Sequence, residues 1–391
     1  MRLPTKRARA WPREPRRLAL ILLTVGPGPS ALRAPEIARE LLSAGHRVEI
    51  TLGRGAERFI GPAAFASLAP VVEEATRHPK AIVFAPATAG TLARLARGLS
   101  EGSTEQAYAA GVRPAIVAPE LDEATVQHPA IRENVTLLRG DGCCVLEDSG
   151  EEMTSPEAIV GEVLNGLGGP LSGLRVLVTA GGTREPIDNV RFIGNRSSGK
   201  MGRALAREAY RRGAEVTVVA ANMEGKEPGV RWVDVETYAE IEEATTKFAK
   251  EADALIMAAA VSDFTPASHE EGKIRRGGTE ELDIRLVATG DILEAVRKSN
   301  PELFMVGFAA THGDPLPDAR EKLETKGIDL MVGNDVSLEG SGFGSDENEV
   351  VIVGEAEERF VPRAPKGKVA GAILDALIQE IDQKKRQKEE V

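Results

Sequence analysis

The stretch Leu174–Gly202, LRVLVTAGGTREPIDNVRFIGNRSSGKMG, constrains this chain more than any other. It opens on a short apolar run, Leu174 to Val178, and passes a Gly181-Gly182 turn and a long polar loop. It ends in Ser197-Ser198-Gly199-Lys200, beyond which Met201 to Arg211 carries helical periodicity. The pattern predicts a strand, a loop rich in exposed donors and a helix N-terminus. Backbone amides at such a terminus, with Arg196, Lys200 and two hydroxyls beside them, suit a phosphate or a carboxylate; Gly/Ser-rich loops also serve merely to cap helices. The next strand, Ala214 to Val219, follows at βαβ spacing, which predicts a doubly wound sheet with its ligand-binding edge at these loops.

With 391 residues the chain has room for two or three domains. A net charge of -11 argues against general nucleic-acid binding. Its two cysteines, Cys143 and Cys144, are adjacent, which suggests no disulfide framework and rules out a zinc site built from CxxC pairs. No uninterrupted apolar segment is long enough to span a bilayer, so a cytoplasmic protein without membrane or nucleic-acid partners is expected. The first 17 residues, MRLPTKRARAWPREPRR, are basic and broken by proline. The apolar run behind them, Leu18 to Val25, is short and lacks a small-residue cleavage site, so it reads as a first strand behind a flexible arm rather than a signal peptide.

From Leu18 onward strands alternate with helices: strands at Leu18 to Val25, His46 to Leu52, Ile82 to Ala85 and Ala115 to Ala118, helices at Ala34 to Ala44 and Ala89 to Leu99. That alternation predicts a mostly parallel sheet covered on both faces, a flavodoxin-like three-layer domain over 18–163. The turn Gly26-Pro27-Gly28-Pro29-Ser30 sits where a phosphate loop would sit, yet its two prolines remove amide donors. A glycine-rich linker is expected at 164–173. A Rossmann-like doubly wound domain then spans 174–380, with a charged, fraying helix end at 381–391.

The second domain closely resembles the phosphopantothenate–cysteine ligase family. The resemblance rests on VLVTAGGTREPIDNVRFIGNRSSGKMG (176–202), AAAVSDFTP (258–266), GKIRR (272–276), MVGFAA (305–310), KLETKGID (322–329), GND (333–335) and FGSDEN (343–348), in family order. It implies two-step chemistry: the carboxylate of 4'-phosphopantothenate attacks the α-phosphate of CTP, and the amine of L-cysteine then attacks the acyl nucleotide. It gives Asn195 the task of orienting the acyl nucleotide's carbonyl. Arg191, Arg196, Ser197, Ser198 and Lys200 become candidates for the phosphopantothenate and phosphate groups, against a reading as caps and a solvated rim. Gly181, Gly182, Ala259, Ala260, Asp263, Phe308, Lys322, Lys326 and Asn334 fall to the nucleotide. Taken without the resemblance, Asp263 reads equally as an Asx cap, Phe308 as core, and Lys322 with Lys326 as surface charge. Lys273, Arg275 and Arg276 form a positive loop expected over the triphosphate. The family carries lysines at the last two positions and commonly a glutamate where Thr311 stands. Mg²⁺ is expected as counter-ion to the triphosphate; the sequence shows no metal ligands of its own. Dimeric ligase domains within a larger homo-oligomer are a further implication.

The first domain resembles the flavin-dependent cysteine decarboxylase family, whose phosphopantothenoylcysteine decarboxylase branch is fused to this ligase in many prokaryotes. APEIARELLSAGHRVEI (34–50), APATAGTLARLARG (85–98), VAPELD (117–122) and HPAIREN (128–134) carry the likeness. The family's chemistry is worn here. The place of its histidine falls near Val72, with His78 the nearest histidine; its Pro-Ala-Met-Asn is Pro119-Glu120-Leu121-Asp122; and its Gly-rich cysteine flap is reduced to the surroundings of Cys143 and Cys144. His78, Asp122 and Cys144 remain weak candidates. Such losses predict a retained scaffold without decarboxylation, with FMN binding doubtful. The alternative is a bifunctional enzyme that keeps FMN-dependent decarboxylation. A dinucleotide oxidoreductase lacks support, because Gly181-Gly182-Thr183 forms no GxGxxG fingerprint. A non-catalytic scaffold would leave the intact second motif set without a use.

Overall fold

The computed structural model describes residues 18–74, 78–147, 152–275, 281–337, 344–355 and 357–389. The expectations about the basic arm, Arg276 and Phe343 lie outside these residues. The chain divides into two compact units, one built mainly on residues up to Pro170 and one on residues from Leu171.

The first unit holds β1 (Leu20–Val25), α1 (Ala34–Ser43), β2 (Arg47–Leu52), β3 (Ala81–Ala87), α2 (Ala89–Ala96), α3 (Ser103–Ala109), β4 (Ala115–Pro119), α4 (Glu123–Gln127), α5 (Pro129–Gly140), β5 (Cys144–Val145) and α6 (Pro156–Leu167). Its strands form one parallel sheet in the order β2-β1-β3-β4-β5, the flavodoxin-like order. Side chains alternate across the pleat, so Ile21, Leu23 and Val25 pack with Ile37, Leu41, Ile159 and Val163 of α1 and α6. Leu22 turns to the opposite face with Phe84, Leu92 and Leu138. Each such side chain, wholly removed from water, contributes about 1.5–3 kcal/mol. The α6 helix runs through the first residues of the expected linker, because Leu164 has an apolar face to bury and is 2 % exposed.

The second unit holds β6 (Arg175–Gly181), β7 (Arg184–Pro186), β8 (Phe192–Gly194), α7 (Lys200–Arg211), β9 (Glu215–Ala221), β10 (Arg231–Val235), α8 (Tyr238–Ala249), β11 (Ala254–Met257), β12 (Phe264–Pro266), β13 (Leu286–Ala288), α9 (Ile292–Ser299), β14 (Phe304–Thr311), α10 (Leu316–Lys326), β15 (Leu330–Asp335), β16 (Glu347–Gly354), β17 (Glu358–Pro365) and α11 (Lys366–Glu389). The main sheet runs β10-β9-β6-β11-β14-β15-β16-β17. Its first six strands are parallel and follow the Rossmann order, with the direction of winding reversing between β6 and β11. β16 and β17 close the far edge as an antiparallel hairpin, and the register shifts between Asn348 and Val350. Val176 and Val178 face Leu205 of α7 and Ile373 and Leu377 of α11; Leu177 and Leu255 face Ile241 of α8 and Val296 of α9. The expected fraying end beyond residue 380 is helix through Glu389: Ile381 is buried and Lys384 pairs with Asp329, which holds this turn down.

Candidate anion-binding active site

The carboxyl ends of β6 and β11, where the winding reverses, are held together by backbone bonds and by the Thr179 and Thr183 hydroxyls, which accept from Ala259 N at 3.1 Å and Ser262 N at 3.0 Å. Gly181 adopts φ +89°, and a β-carbon there would lie 1.9 Å from the Ala221 carbonyl oxygen, so only glycine fits. Ala260 N donates to Gly181 O at 2.8 Å and Thr183 N to Ala260 O at 3.1 Å, which sets Ala259 and Ala260 beside the Gly181-Gly182 turn. Helix α7 starts just across this edge. Its apolar positions Gly202, Leu205, Ala206 and Ala209 follow helical spacing and face the core. Ser197, Ser198, Lys200, Ala259, Ala260, Phe308 and Asn334 line a single cleft over the first turn of α7.

Asn348, the last residue of the FGSDEN stretch, lines the same cleft, and so does Lys366, which was not singled out in the sequence. Lys366 begins α11 yet is only 7 % exposed. Burial pushes its ammonium below the ordinary lysine value, and nearby Lys200 adds to the effect. Lys366 Nζ donates to Ser345 O at 2.6 Å. Lys200 Nζ donates to Gly344 O at 2.9 Å and to Asp346 Oδ1 at 2.7 Å, and the Lys200 bond holds the Asp346 carboxyl below its usual range. Two lysines on two helix N-termini therefore converge on the turn 344–346, Lys200 at the Asp346 carboxylate and Lys366 at the Ser345 carbonyl. Asn195, on the loop leading into α7, donates from Nδ2 to Ala260 O at 2.9 Å.

The other expected residues stand elsewhere. Arg191 is committed to structure: its guanidinium donates to Asp188 at 2.5 and 3.1 Å and to Ile274 O at 3.0 Å. Buried Asp188 also accepts from the backbone N–H of Val190, Arg191 and Ile274, so it ties the Gly272–Arg275 segment to the 188–191 turn. Lys273 and Arg275 are exposed on this segment and do not line the cleft. Arg196 and Asp263 are exposed, and the Asp263 carbonyl accepts from Thr289 N at 2.9 Å. Lys322 makes an ion pair with Asp318 at 2.9 Å, without hydrogen-bond geometry, and Lys326 pairs with Asp291. Neither lysine lines the cleft as it stands.

Hydrogen bonding from Arg191, with support from the three amides, holds the Asp188 carboxyl well below the usual carboxylate range. A carboxyl depressed in the fold adds stability that is complete above its unfolded value near 3.8 and is lost as pH falls through the folded value, so this tether is intact at neutral pH. Asp188→Asn is expected to loosen the segment locally and speed tryptic cleavage at Lys273 and Arg275 by about tenfold at pH 7. Unchanged cleavage would show that the segment is held by something else.

In the first unit the decarboxylase candidates are scattered. His78 precedes β3 at the amino edge of the sheet, whereas Asp122 follows β4 at the carboxyl edge; the seven residues of β3 alone span about 20 Å. Asp122 Oδ1 accepts from Thr125 N at 2.7 Å and so caps α4. Cys144 Sγ lies 3.4 Å from Glu162 Oε2, and burial followed by that carboxylate pushes its thiol up to about 12. Burial does the same to Cys143. A neutral thiol is a poor proton donor and nucleophile at pH 7.

No helix among the described residues is long and apolar enough to cross a membrane, and among them no group of three His, Cys, Asp or Glu is placed to hold a metal ion. Fold and cleft together define an α/β protein with a flavodoxin-ordered sheet in one unit and a lysine-lined cleft at the switch point of a Rossmann-ordered sheet in the other. Residues 10–168 match the flavoprotein family model, and residues 171–381 match the model of the DNA/pantothenate metabolism flavoprotein C-terminal domain. Among curated relatives, the coenzyme A biosynthesis bifunctional protein CoaBC of Mycobacterium tuberculosis is 37% identical over 401 residues, covering 92% of this chain and 96% of the relative. That of Bacillus subtilis is 33% identical, covering 91% and 96%. A crystal structure of the C-terminal domain of a CoaBC protein is 32% identical with a TM-score of 0.47, covering 55% of this chain and 98% of that one. The chain belongs to the family of bifunctional coenzyme A biosynthesis proteins, a family of enzymes.

Proposed function

We propose that the second unit is a phosphopantothenate–cysteine ligase. The observation that carries this reading is the meeting of Ser197, Ser198, Lys200 and Lys366 with the Ala259-Ala260 backbone at the β6/β11 switch point. Such a cleft joins helix N-terminal donors to two cations, the combination that suits a phosphorylated carboxylic acid and a nucleoside triphosphate. In the first step a carboxylate oxygen of 4'-phosphopantothenate bonds to the α-phosphorus of CTP, and the bond to pyrophosphate breaks. In the second the amine of L-cysteine bonds to the acyl carbon, loses a proton, and CMP departs. Asn195, anchored on Ala260 O, keeps one amide N–H and its carbonyl oxygen to orient the acyl group and the incoming amine. Lys273, Arg275 and Arg276 would neutralise the triphosphate when their segment folds inward, with Lys322 and Lys326 released from their carboxylates. Mg²⁺ would enter with the triphosphate, held by phosphate and water.

Kinship over 92% of the chain with bifunctional relatives favours a second reading over ligation alone. In it the first unit also decarboxylates 4'-phosphopantothenoylcysteine with FMN. The worn residues of that unit weigh against it. One assay addresses both: purified protein, 4'-phosphopantothenate, L-cysteine, Mg²⁺ and CTP or ATP, with and without FMN. The expected result is 4'-phosphopantothenoylcysteine by mass, with CMP and pyrophosphate in equal amounts. Nucleoside diphosphate and inorganic phosphate would instead reveal acyl-phosphate activation and end the proposed mechanism. FMN-dependent release of carbon dioxide would establish the second reading.

A further inference from the structure

In a sheet of the order found in the first unit, FMN binds at the crevice between the carboxyl ends of β1 and β3. Here that crevice is closed by the protein itself. Gly26 N donates to Pro86 O at 3.2 Å, joining the end of β1 to β3. Pro27 and Pro29 offer no N–H. Ser30, 6 % exposed, is the first residue of the turn after Pro29 able to donate, and its N and Oγ both donate to Glu120 Oε1, at 3.0 and 2.7 Å. Met153 N donates to the same hydroxyl at 3.2 Å. The second carboxylate oxygen, Glu120 Oε2, would lie 1.9 Å from a β-carbon on Gly28 and is buried without a hydrogen-bond partner among the described residues. The residues present do not fit a flavin phosphate: two positions of the turn are prolines, both donors of Ser30 are taken, and a carboxylate stands among them.

We propose that Glu120 is a built-in anion that occupies the phosphate place of this switch point, so that the first unit folds without FMN and excludes it. The two donors of Ser30 are satisfied from within, by a side chain carried on the residue after β4. An incoming phosphate would have to displace that carboxylate and lie against its like charge, an interaction strongly unfavourable in a buried site. Removing the charge should reopen the place for small phosphates, whereas the rest of the flavin site is not expected to reappear. This inference is independent of the ligase reading, since it concerns the other unit.

The test uses the full chain, as wild type, Glu120→Gln and Glu120→Ala, with inorganic phosphate, FMN and riboflavin as probes. Thermal shift reads phosphate binding, and quenching of flavin fluorescence reads the other two. The wild type is expected to be colourless and to leave FMN fluorescence unquenched, and any phosphate-dependent shift it shows, from the cleft of the second unit, is the baseline against which the variants are read. Glu120→Ala should bind inorganic phosphate at least about tenfold more tightly than the wild type. Without phosphate it should melt lower, because the buried Ser30 donors lose their acceptor. Glu120→Gln keeps an acceptor oxygen and lies between the two, and it serves alone if the alanine variant does not fold. Stoichiometric FMN binding by the wild type overturns the proposal. So does a phosphate response in the foldable variants no stronger than that of the wild type. Equal binding of FMN and riboflavin would show a flavin held without its phosphate, which also overturns it.

Discussion

With the ligase reading, replacing Asn195 by Asp is expected to lower steady-state ligation at least about a hundredfold, on the scale of removing one preorganised donor from a reacting carbonyl, and to leave the thermal midpoint nearly unchanged. The side chain is exposed, so little core packing depends on it. Among the described residues its side-chain hydrogen bond is that from Nδ2 to Ala260 O at 2.9 Å. A carboxylate of the same shape has no donor to offer that carbonyl and faces it with negative charge. The loop between β8 and α7 then loses its tie to the end of β11, and the acyl group loses both a neutral orienting amide and freedom from a competing nucleophile. Single-turnover measurements separate the halves of the reaction: an accumulating acyl nucleotide places Asn195 in aminolysis, and its absence places it in activation. Turnover within a factor of about two of wild type, below 0.5 kcal/mol of barrier, would remove Asn195 from the mechanism.

Lys366→Met should raise the KM for the anionic substrates by about 10- to 100-fold, the range of a hydrogen bond to a charged group, with a much smaller effect on folding. Lys366 is buried, which costs its ammonium solvation, so exchanging the ammonium for a thioether removes a desolvated charge from the fold. A merely structural lysine would behave in the opposite way: its loss would unsettle the turn 344–346 through the Ser345 carbonyl and leave substrate affinity alone. Lys366→Arg should restore little, because a planar fork needs room that a 7 % exposed position does not give. A normal KM for both 4'-phosphopantothenate and CTP in the methionine variant would exclude Lys366 from the cleft's chemistry.

The two α/β sheets were legible because apolar runs of strand length, buried on both faces, alternate with amphipathic helices. Both β3 and β11 are buried along their whole length, the signature of an interior parallel strand. What the pattern did not carry was the antiparallel hairpin edge. In β17, Glu358–Pro365, burial is scattered and charges intervene, and its role appears only once β16 is in place beside it. The same limit hid Lys366, which at the start of an amphipathic helix is indistinguishable from a solvated end until the hairpin and α7 are packed around it. Arg191 shows a different limit. Motif membership marked it as functional, but only the geometry shows that its guanidinium is spent on Asp188 and Ile274. Likewise the change at 119–122 drew attention to Asp122, which caps a helix, while Glu120 two residues earlier reaches the crevice.

The phase of β16 ties the outer border of the sheet to the cleft's chemistry. Strand side chains alternate faces, so a change of phase by one residue exchanges every inward group for an outward one. The extra residue at the irregularity opposite Asn348 and Val350 belongs to β17, between Val361 and Ala364, so β16 alternates without a break. Asn348, 5 % exposed and in the lining of the cleft, therefore shares its face with Val350 and Ile352 of the α11 core. A one-residue insertion or deletion between Asn348 and Val350 would keep the valine and isoleucine packed only by turning the asparagine away, whereas the bulge in β17 can absorb such a change without disturbing the cleft. The inner strand of the hairpin is in effect a setting of the cleft, and drift there should be penalised while drift in β17 is tolerated.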